Sequence, residues 1–231
     1  MRAAPARRLL ATALCVALGV ALSPSRLVAA GGEADEAGRH PIPAGDYVLD
    51  KSHSTLVFRV SHLGFSWYTA SFDDFDVALA YDPARPQEAD LRVEVEVRSL
   101  QLPSPPAGFR DTLLGPAWFD ADAHPRMSFR STSIEPGADG ALSVTGELAL
   151  KGETRPVTLE VSFNGGYAGI ADLDPQARAG FSARGTIRRS DFGMALGVPP
   201  EGSTFGVGDA VELVIETELT GPPLEAGADP R

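Results

Sequence analysis

Apolar and polar residues alternate along much of this chain. In the clearest run, Leu91 to Arg98, aliphatic residues are interleaved with charged ones. Because successive side chains of a β-strand point to opposite faces, this run predicts a strand with one buried and one solvated face. Counting the segments that share the pattern, we predict eight strands, at 56–60, 75–81, 91–97, 127–129, 142–150, 157–163, 181–187 and 211–219.

Turn-forming residues separate these strands at fairly even intervals, and links this short join neighbouring antiparallel strands. The exception is 108–120, a segment rich in large apolar residues that follows Pro103 to Pro106. We predict a short helix or an ordered crossing segment there. The turn signals are Asp82-Pro83, Pro136-Gly137, Asp139-Gly140, Lys151-Gly152, Asn164-Gly165-Gly166 and Gly208-Asp209.

The fold class that follows is all-β. Eight antiparallel strands with polar outer faces can bury their inner faces in a two-sheet sandwich or in a closed barrel. Apolar residues recur with the same period in both architectures, so the alternation does not distinguish a barrel from a sandwich.

Length and composition favour one globular domain. The chain has 231 residues, of which 43% are hydrophobic and 22% charged. We place the domain at 46–220. Segments 31–45 and 221–231 are rich in Gly, Ala and Pro without an apolar period, which predicts a disordered lead-in and a flexible tail.

The first thirty residues have the order of a secretory signal peptide. Basic residues precede an uncharged run from Leu9 to Leu22, and small residues follow at Val28 to Ala30. The run is too short for a membrane span, which needs roughly 20 apolar residues. We therefore expect cleavage near residue 30 and a periplasmic or secreted protein.

Removal of 1–30 would take away four arginines and no acid, so the net charge would fall from -11 to -15. It would also remove Cys15, the one cysteine, and leave the core to provide the stability. A charge this negative argues against nucleic acid or an anionic membrane surface as the main partner.

Catalytic and metal-binding motifs are weak in this chain. Segment 180–184 lacks the second Gly of a nucleophile elbow, and 191–193 matches a kinase tripeptide without the other kinase motifs. His53 and His62 lie nine residues apart, which puts them on opposite faces of a regular strand. We predict no enzyme activity, no catalytic residue, no metal and no cofactor. His40 and His124 are dispersed, and Asp73, Asp74 and Asp76 are interpreted as a solvated acidic bend.

Several segments, in order from Tyr47 to Leu219, resemble the YceI-like polyisoprenoid-binding proteins, which are exported bacterial proteins of lipocalin-like fold. The resemblance is carried by 47–54 with 58–64, by 72–75, by 118–120 with His124-Pro125 and Phe129, by 146–148 with 152–157, and by Arg189-Ser190-Asp191-Phe192-Gly193-Met194.

The resemblance implies a single closed eight-stranded antiparallel barrel that holds an isoprenoid chain, from a quinone or a polyprenyl lipid, for transport, storage or buffering. A membrane protein that delivers or accepts the lipid is the further partner we expect. Small residues at Gly146, Ala183 and Gly185 favour a hollow centre. The predicted ligand-binding residues are Leu56, Phe58, Val60, Phe75, Val77, Leu79, Val93, Val95, Phe129, Val144, Leu159, Val161, Phe181 and Leu213.

Two other functions stay open at this point. One is an enzyme that modifies such a lipid with His62 or His124 at the mouth of the barrel. The other is a β-sandwich interaction module with a filled core.

The chain also departs from the family pattern. Thr112 stands where the family often has histidine, and Pro103 to Pro106 is unusual, so the mouth of the tunnel is expected to differ. We interpret Arg189 and Asp191 as a pair that stabilises a turn.

Overall fold

The computed structural model describes residues 42–138 and 141–224. The predicted signal peptide and most of the predicted lead-in lie outside these ranges. The strands are β1 (Gly45–Leu49), β2 (Thr55–His62), β3 (Ser66–Phe72), β4 (Phe75–Tyr81), β5 (Asp90–Glu96), β6 (Leu100–Gln101), β7 (Arg126–Pro136), β8 (Leu142–Leu150), β9 (Glu153–Tyr167), β10 (Gln176–Arg188) and β11 (Val207–Pro223), and the α-helix is α1 (Phe109–Leu114).

The alternation in the sequence becomes an alternation of burial. In β4, Phe75, Val77 and Leu79 are buried, and the residues between them are exposed. β9 repeats this at Val157 to Val161. Each buried aliphatic or aromatic side chain contributes about 1.5–3 kcal/mol of hydrophobic free energy, which favours the strands over the open chain.

Eight of the strands form a closed antiparallel ring in the order β1-β4-β5-β7-β8-β9-β10-β11, which the pairing of β11 with β1 completes. A closed ring leaves no unpaired edge in its wall. The predicted all-β barrel is therefore confirmed, and the sandwich with a filled core is excluded.

The partner of β11 changes along its length. The part of β11 around Leu219 pairs with β1, whereas Val211 to Glu216 pair with β2. β2 then pairs with β3, and β3 pairs with β6. We call the end bordered by His62–Ser66, Leu102–Pro106 and Gly206–Val207 the mouth, and the opposite end, where β9 ends and β10 begins, the base.

The eight predicted strands are all present, as β2, β4, β5 and β7 to β11. β1, β3 and β6 were missed, because they are short or because their apolar period is interrupted. Gly45 begins β1 and β11 continues to Pro223, so regular structure extends slightly beyond 46–220.

Two predicted turns are wrong. Gly165 pairs with Gly180 while Phe163 pairs with Phe181, so Asn164 is an extra residue inside β9. Gly208-Asp209 likewise lies where β11 shifts register against β2. Short segments that contain glycine occur in β-bulges as well as in turns, and both of these segments lie at bulges.

The predicted helical crossing segment is confirmed. α1 follows the proline-rich stretch, and its Leu113 and Leu114 are buried. The rings of Phe119 and of Phe72 on β3 pack edge to face, with centroids 5.5 Å apart. None of the helices in residues 42–138 and 141–224 has the length and apolar composition needed to cross a membrane.

Side chains fill the barrel at its base. Tyr47 has no exposed surface, its hydroxyl donates to the Pro43 carbonyl at 2.8 Å, and burial raises its pKa to about 12, with Tyr81 adding to the rise. A Cβ added at Gly221 would lie 2.2 Å from the Tyr47 ring. The base therefore has no space beside this tyrosine. Ile42, Ala177, Ala179 and Leu219 are buried there as well.

Candidate functional site

A cavity of about 570 Å³ occupies the half of the barrel next to the mouth. Its size falls within the roughly 300–1,000 Å³ typical of small-molecule sites. β2 and β11 contribute wall residues at directly paired positions, such as Phe58 with Leu213. The wall is therefore built from the inward faces that the alternation predicted.

Eight of the fourteen predicted ligand-binding residues line this cavity. They come from β2, β5, β7, β9 and β11, and they present carbon atoms to the interior. These residues are Leu56, Phe58, Val60, Val93, Val95, Phe129, Leu159 and Leu213.

The other six lie elsewhere in the barrel. Phe75, Val77, Leu79, Val144 and Val161 are buried in the hydrophobic core, and Phe181 packs against it, 5.3 Å from Phe163 between ring centroids. They point inward as predicted, but their neighbours are other core side chains. Whether the fourteen bind a ligand stays a prediction.

Much of the lining comes from segments that the strand pattern missed. Tyr68 and Phe72 belong to β3, and Pro103, Pro105 and Pro106 form one side of the mouth. The proline-rich departure from the family pattern is therefore part of the cavity wall. α1 and the residues after it cover another side of the cavity, with Phe109, Leu113, Trp118 and Phe119.

The few polar side chains of the lining lie mostly at the mouth. His62, Ser66 and Ser104 line the cavity there, with Tyr68 next to them on β3. Burial raises the pKa of the Tyr68 phenol. An amphipathic molecule would fit this arrangement with its polar end at the mouth and its apolar chain inside.

Of the two histidines considered for catalysis, His62 lines the cavity and His124 packs elsewhere. A Cβ added at Gly152 would lie 2.8 Å from Cε1 of His124, which places this imidazole against the β8–β9 turn. Lys151 and Gly152 both adopt positive φ in that turn, as a tight hairpin requires.

Arg189 is a functional candidate whose role the sequence did not indicate. It lines the cavity although its residue surface is only 4% exposed, and its guanidinium lies 5.2 Å from the centre of the Trp118 ring. Burial lowers its pKa, which Asp209 partly offsets. The guanidinium donates to the carbonyls of Met194, Leu196, Val207 and Gly208.

The predicted pairing of Arg189 with Asp191 is wrong. Arg189 bonds main-chain carbonyls, and the turn is held instead by Asp209, which accepts hydrogen bonds at 2.9 Å from the amide and the hydroxyl of Ser190. Arg189 thereby ties the 194–199 loop to the start of β11, and both segments border the mouth.

Near the base, a polar cluster surrounds Asp50. Its carboxylate accepts hydrogen bonds from Ser52, from Arg178 at 2.8 Å and, at 3.1 Å, contacts His53. These contacts, led by those of Ser52 and His53, hold its pKa well below the usual range. Ligand atoms of Asp50, His53 and Glu218 lie within 4.8 Å of one another, but the Asp50 carboxylate is already paired with Arg178 at 2.8 Å.

Comparisons with known proteins agree with this architecture. The model of the YceI-like domain matches residues 47–219. A UPF0312 protein of Yersinia pestis (strain Pestoides F) is 35% identical over 180 residues, which cover 76% of this chain and 86% of that protein.

Two solved structures share the fold. The Campylobacter jejuni YCEI protein is 28% identical with a TM-score of 0.57, and the match covers 69% of this chain and 88% of that one. A polyisoprenoid binding domain from Saccharophagus degradans, implicated in plant cell wall breakdown, is 13% identical with a TM-score of 0.55, covering 76% and 98%.

Proposed function

The chain belongs to the YceI-like family, and from this premise we propose that it is an exported protein that binds the chain of an isoprenoid lipid inside its barrel. The observation that carries the proposal is the apolar cavity of about 570 Å³, which continues to the mouth. The name of the Saccharophagus degradans domain supports an isoprenoid as the ligand class.

The physical reason for such a protein is the insolubility of its ligand. Each methylene group moved out of water contributes about 0.8 kcal/mol, so a lipid tail of many carbons is strongly excluded from an aqueous compartment. A protein that encloses the tail lets the lipid be carried, stored or buffered outside a membrane. Binding rather than catalysis is sufficient for this role.

The polar residues indicate how the ligand would lie. His62, Ser66 and Ser104 at the mouth can bond a quinone or phosphate group, while Val95, Leu159 and the other aliphatic residues surround the tail. We place the protein in the periplasm or outside the cell, where a membrane protein would deliver or accept the lipid.

The first experiment identifies the ligand. The protein is purified from its native envelope, extracted with organic solvent and analysed by mass spectrometry. We expect an isoprenoid quinone or a polyprenyl lipid at a stoichiometry near one. Extracts that contain no isoprenoid would contradict the proposal.

A second experiment locates the ligand in the cavity. Trp118 lines the cavity, so a quinone that binds there should quench its fluorescence. Val95→Trp fills the same space and should weaken binding by about tenfold or more while the barrel stays folded. Val48→Trp is the matched control, because Val48 is 57% exposed on β1. Unchanged quinone binding by Val95→Trp would place the ligand elsewhere.

A further inference from the structure

Large apolar side chains are exposed beside the mouth. Phe65 is 82% exposed, Phe205 78%, Leu196 59% and Trp67 51%. We call these four residues the apolar tip. Isolated exposed apolar residues are ordinary, whereas several together mark a surface that contacts another apolar phase.

The segments that carry the apolar tip are bonded to one another. The amide of Leu63 donates to the Gly206 carbonyl at 2.8 Å, and the amide of Val207 donates to the Gly197 carbonyl at 2.9 Å. A Cβ added at Gly64 would lie 2.8 Å from the Thr204 hydroxyl. The β2–β3 turn, the 194–199 loop and the start of β11 therefore form one surface.

That surface is poor in charge. Segments 60–66 and 194–208 contain one charged residue, Glu201, besides His62, in a chain whose net charge is -11. Arg59 adds one positive charge at the edge of this surface, where its guanidinium lies 5.5 Å from the centre of the Trp67 ring. An aromatic surface with so little charge on an acidic protein suits an apolar partner better than a charged one.

The same surface borders the passage into the cavity. His62, Ser66 and Val207 line the cavity, and each is adjacent in sequence or in strand pairing to a residue of the apolar tip or its loops. A lipid that enters or leaves the barrel must pass this surface.

We propose that the apolar tip docks on a lipid bilayer, with the aromatic rings in the interfacial layer and the mouth facing the membrane. The proposal rests on the proposed function, since a bilayer is the source of a membrane lipid. Because the body of the protein is acidic, the surface it binds is zwitterionic, and docking depends on apolar contact rather than on charge.

The test compares a variant of the tip with a matched variant at the base. Phe65→Ser with Phe205→Ser removes two exposed rings. Leu173→Ser is the control, because Leu173 is 78% exposed in the β9–β10 turn at the base. Binding is measured by flotation with phosphatidylcholine vesicles at low and high salt.

We expect the unaltered protein to float with the vesicles at both salt concentrations. The double variant should lose about tenfold or more in partition coefficient, equivalent to about 1.4 kcal/mol, and Leu173→Ser should stay within about twofold. The emission of Trp67 should shift to the blue on vesicle addition and be quenched by brominated lipids. Trp67→Phe should remove that signal and confirm its source.

Three outcomes would overturn the proposal: no flotation of the unaltered protein, equal losses for the tip and base variants, or binding that disappears in high salt. A concentration-dependent dimer that the double variant abolishes, without flotation, would instead assign the apolar tip to self-association and would overturn docking.

Quinone binding separates this proposal from the function on which it rests. Without vesicles, the double variant should bind a short-chain quinone with unchanged affinity. Val95→Trp should bind vesicles normally and bind the quinone about tenfold or more weakly. Vesicle binding without quinone binding by the unaltered protein would contradict the proposed function and leave docking intact.

Discussion

The two ends of the barrel are built from the same strands, but the space inside is filled at the base and open at the mouth. At the base, Tyr47 and the small residues packed around it fill the interior, and a charged network centred on Asp50 ties β1 to β10. At the mouth, the corresponding faces of the strands surround open space, and Arg189 holds the border by bonding main-chain carbonyls. The base thus supplies the packing that a hollow mouth lacks.

This difference shows how a small barrel can hold a cavity and remain folded. A void removes dispersion contacts from every side chain that borders it. The closed hydrogen-bonded ring and the dense base offset that loss. We therefore expect substitutions at the base to act on stability and substitutions at the mouth to act on binding.

The largest effect expected is that of Tyr47→Ala. It removes a fully buried ring from the densest part of the base, which should cost about 4 kcal/mol of unfolding free energy in urea denaturation. Phe65→Ala removes a ring of the same size from the mouth and should change stability by less than about 0.5 kcal/mol. Comparable losses for the two variants would contradict the division between the ends.

Arg189→Leu should cost about 3 kcal/mol, because it leaves four carbonyls at the mouth without their donor. Its neighbour Arg188 is the control, since its side chain is 71% exposed and pairs with Asp209 at 3.5 Å. Arg188→Leu should cost less than about 1 kcal/mol. Thermal unfolding measures both, and equal shifts in Tm would show that the mouth does not depend on the buried guanidinium.

Val161→Trp and Val95→Trp place the same side chain in the filled and the hollow half. Overpacking should cost about 2 kcal/mol at Val161, where core side chains surround the site. At Val95 the indole can extend into the cavity, so the cost should be less than about 1 kcal/mol. Urea denaturation of the two variants tests this, and a Val95 variant as unstable as the Val161 variant would indicate a filled mouth.

The smallest expected effect is on the stability of the protein at low pH. The pKa of Asp50 is lower in the folded protein than the value of about 3.9 in an unfolded chain. Its stabilisation is therefore present above about pH 4 and is lost as the pH falls toward the folded pKa. Asp50→Asn should cost about 1–2 kcal/mol at pH 7 and should flatten the fall in stability below pH 4. The exposed Asp172→Asn should change neither quantity, and a similar flattening in that control would remove Asp50 as the cause.

Alternation predicted which face of each strand points inward, but not the height of each residue along the barrel. Val77 and Val93 pair directly across β4 and β5, yet only Val93 lines the cavity. Leu159 lines it too, whereas Val161, on the same face of β9, is packed in the core. The side chains that fill the base come from residues distant in sequence, such as Tyr47. A two-residue period within one strand does not predict such contacts.

The role of Arg189 was missed for a different reason. Its partners are carbonyl oxygens, which every residue carries, so the sequence around it gives no sign of a bond. The contribution of Pro103 and Pro105 to the lining was easier to anticipate, because the stretch stands out from the family pattern and from the strands on either side.

β11 pairs with three strands, β10 along its length, β1 near the base and β2 near the mouth. It is also the strand farthest along the described chain. The ring therefore cannot close until Val207–Pro223 are in place, and before that β1, β2 and β10 each have a free edge. Because these pairings join residues far apart in sequence, their formation should limit the folding rate more than any local helix or hairpin does.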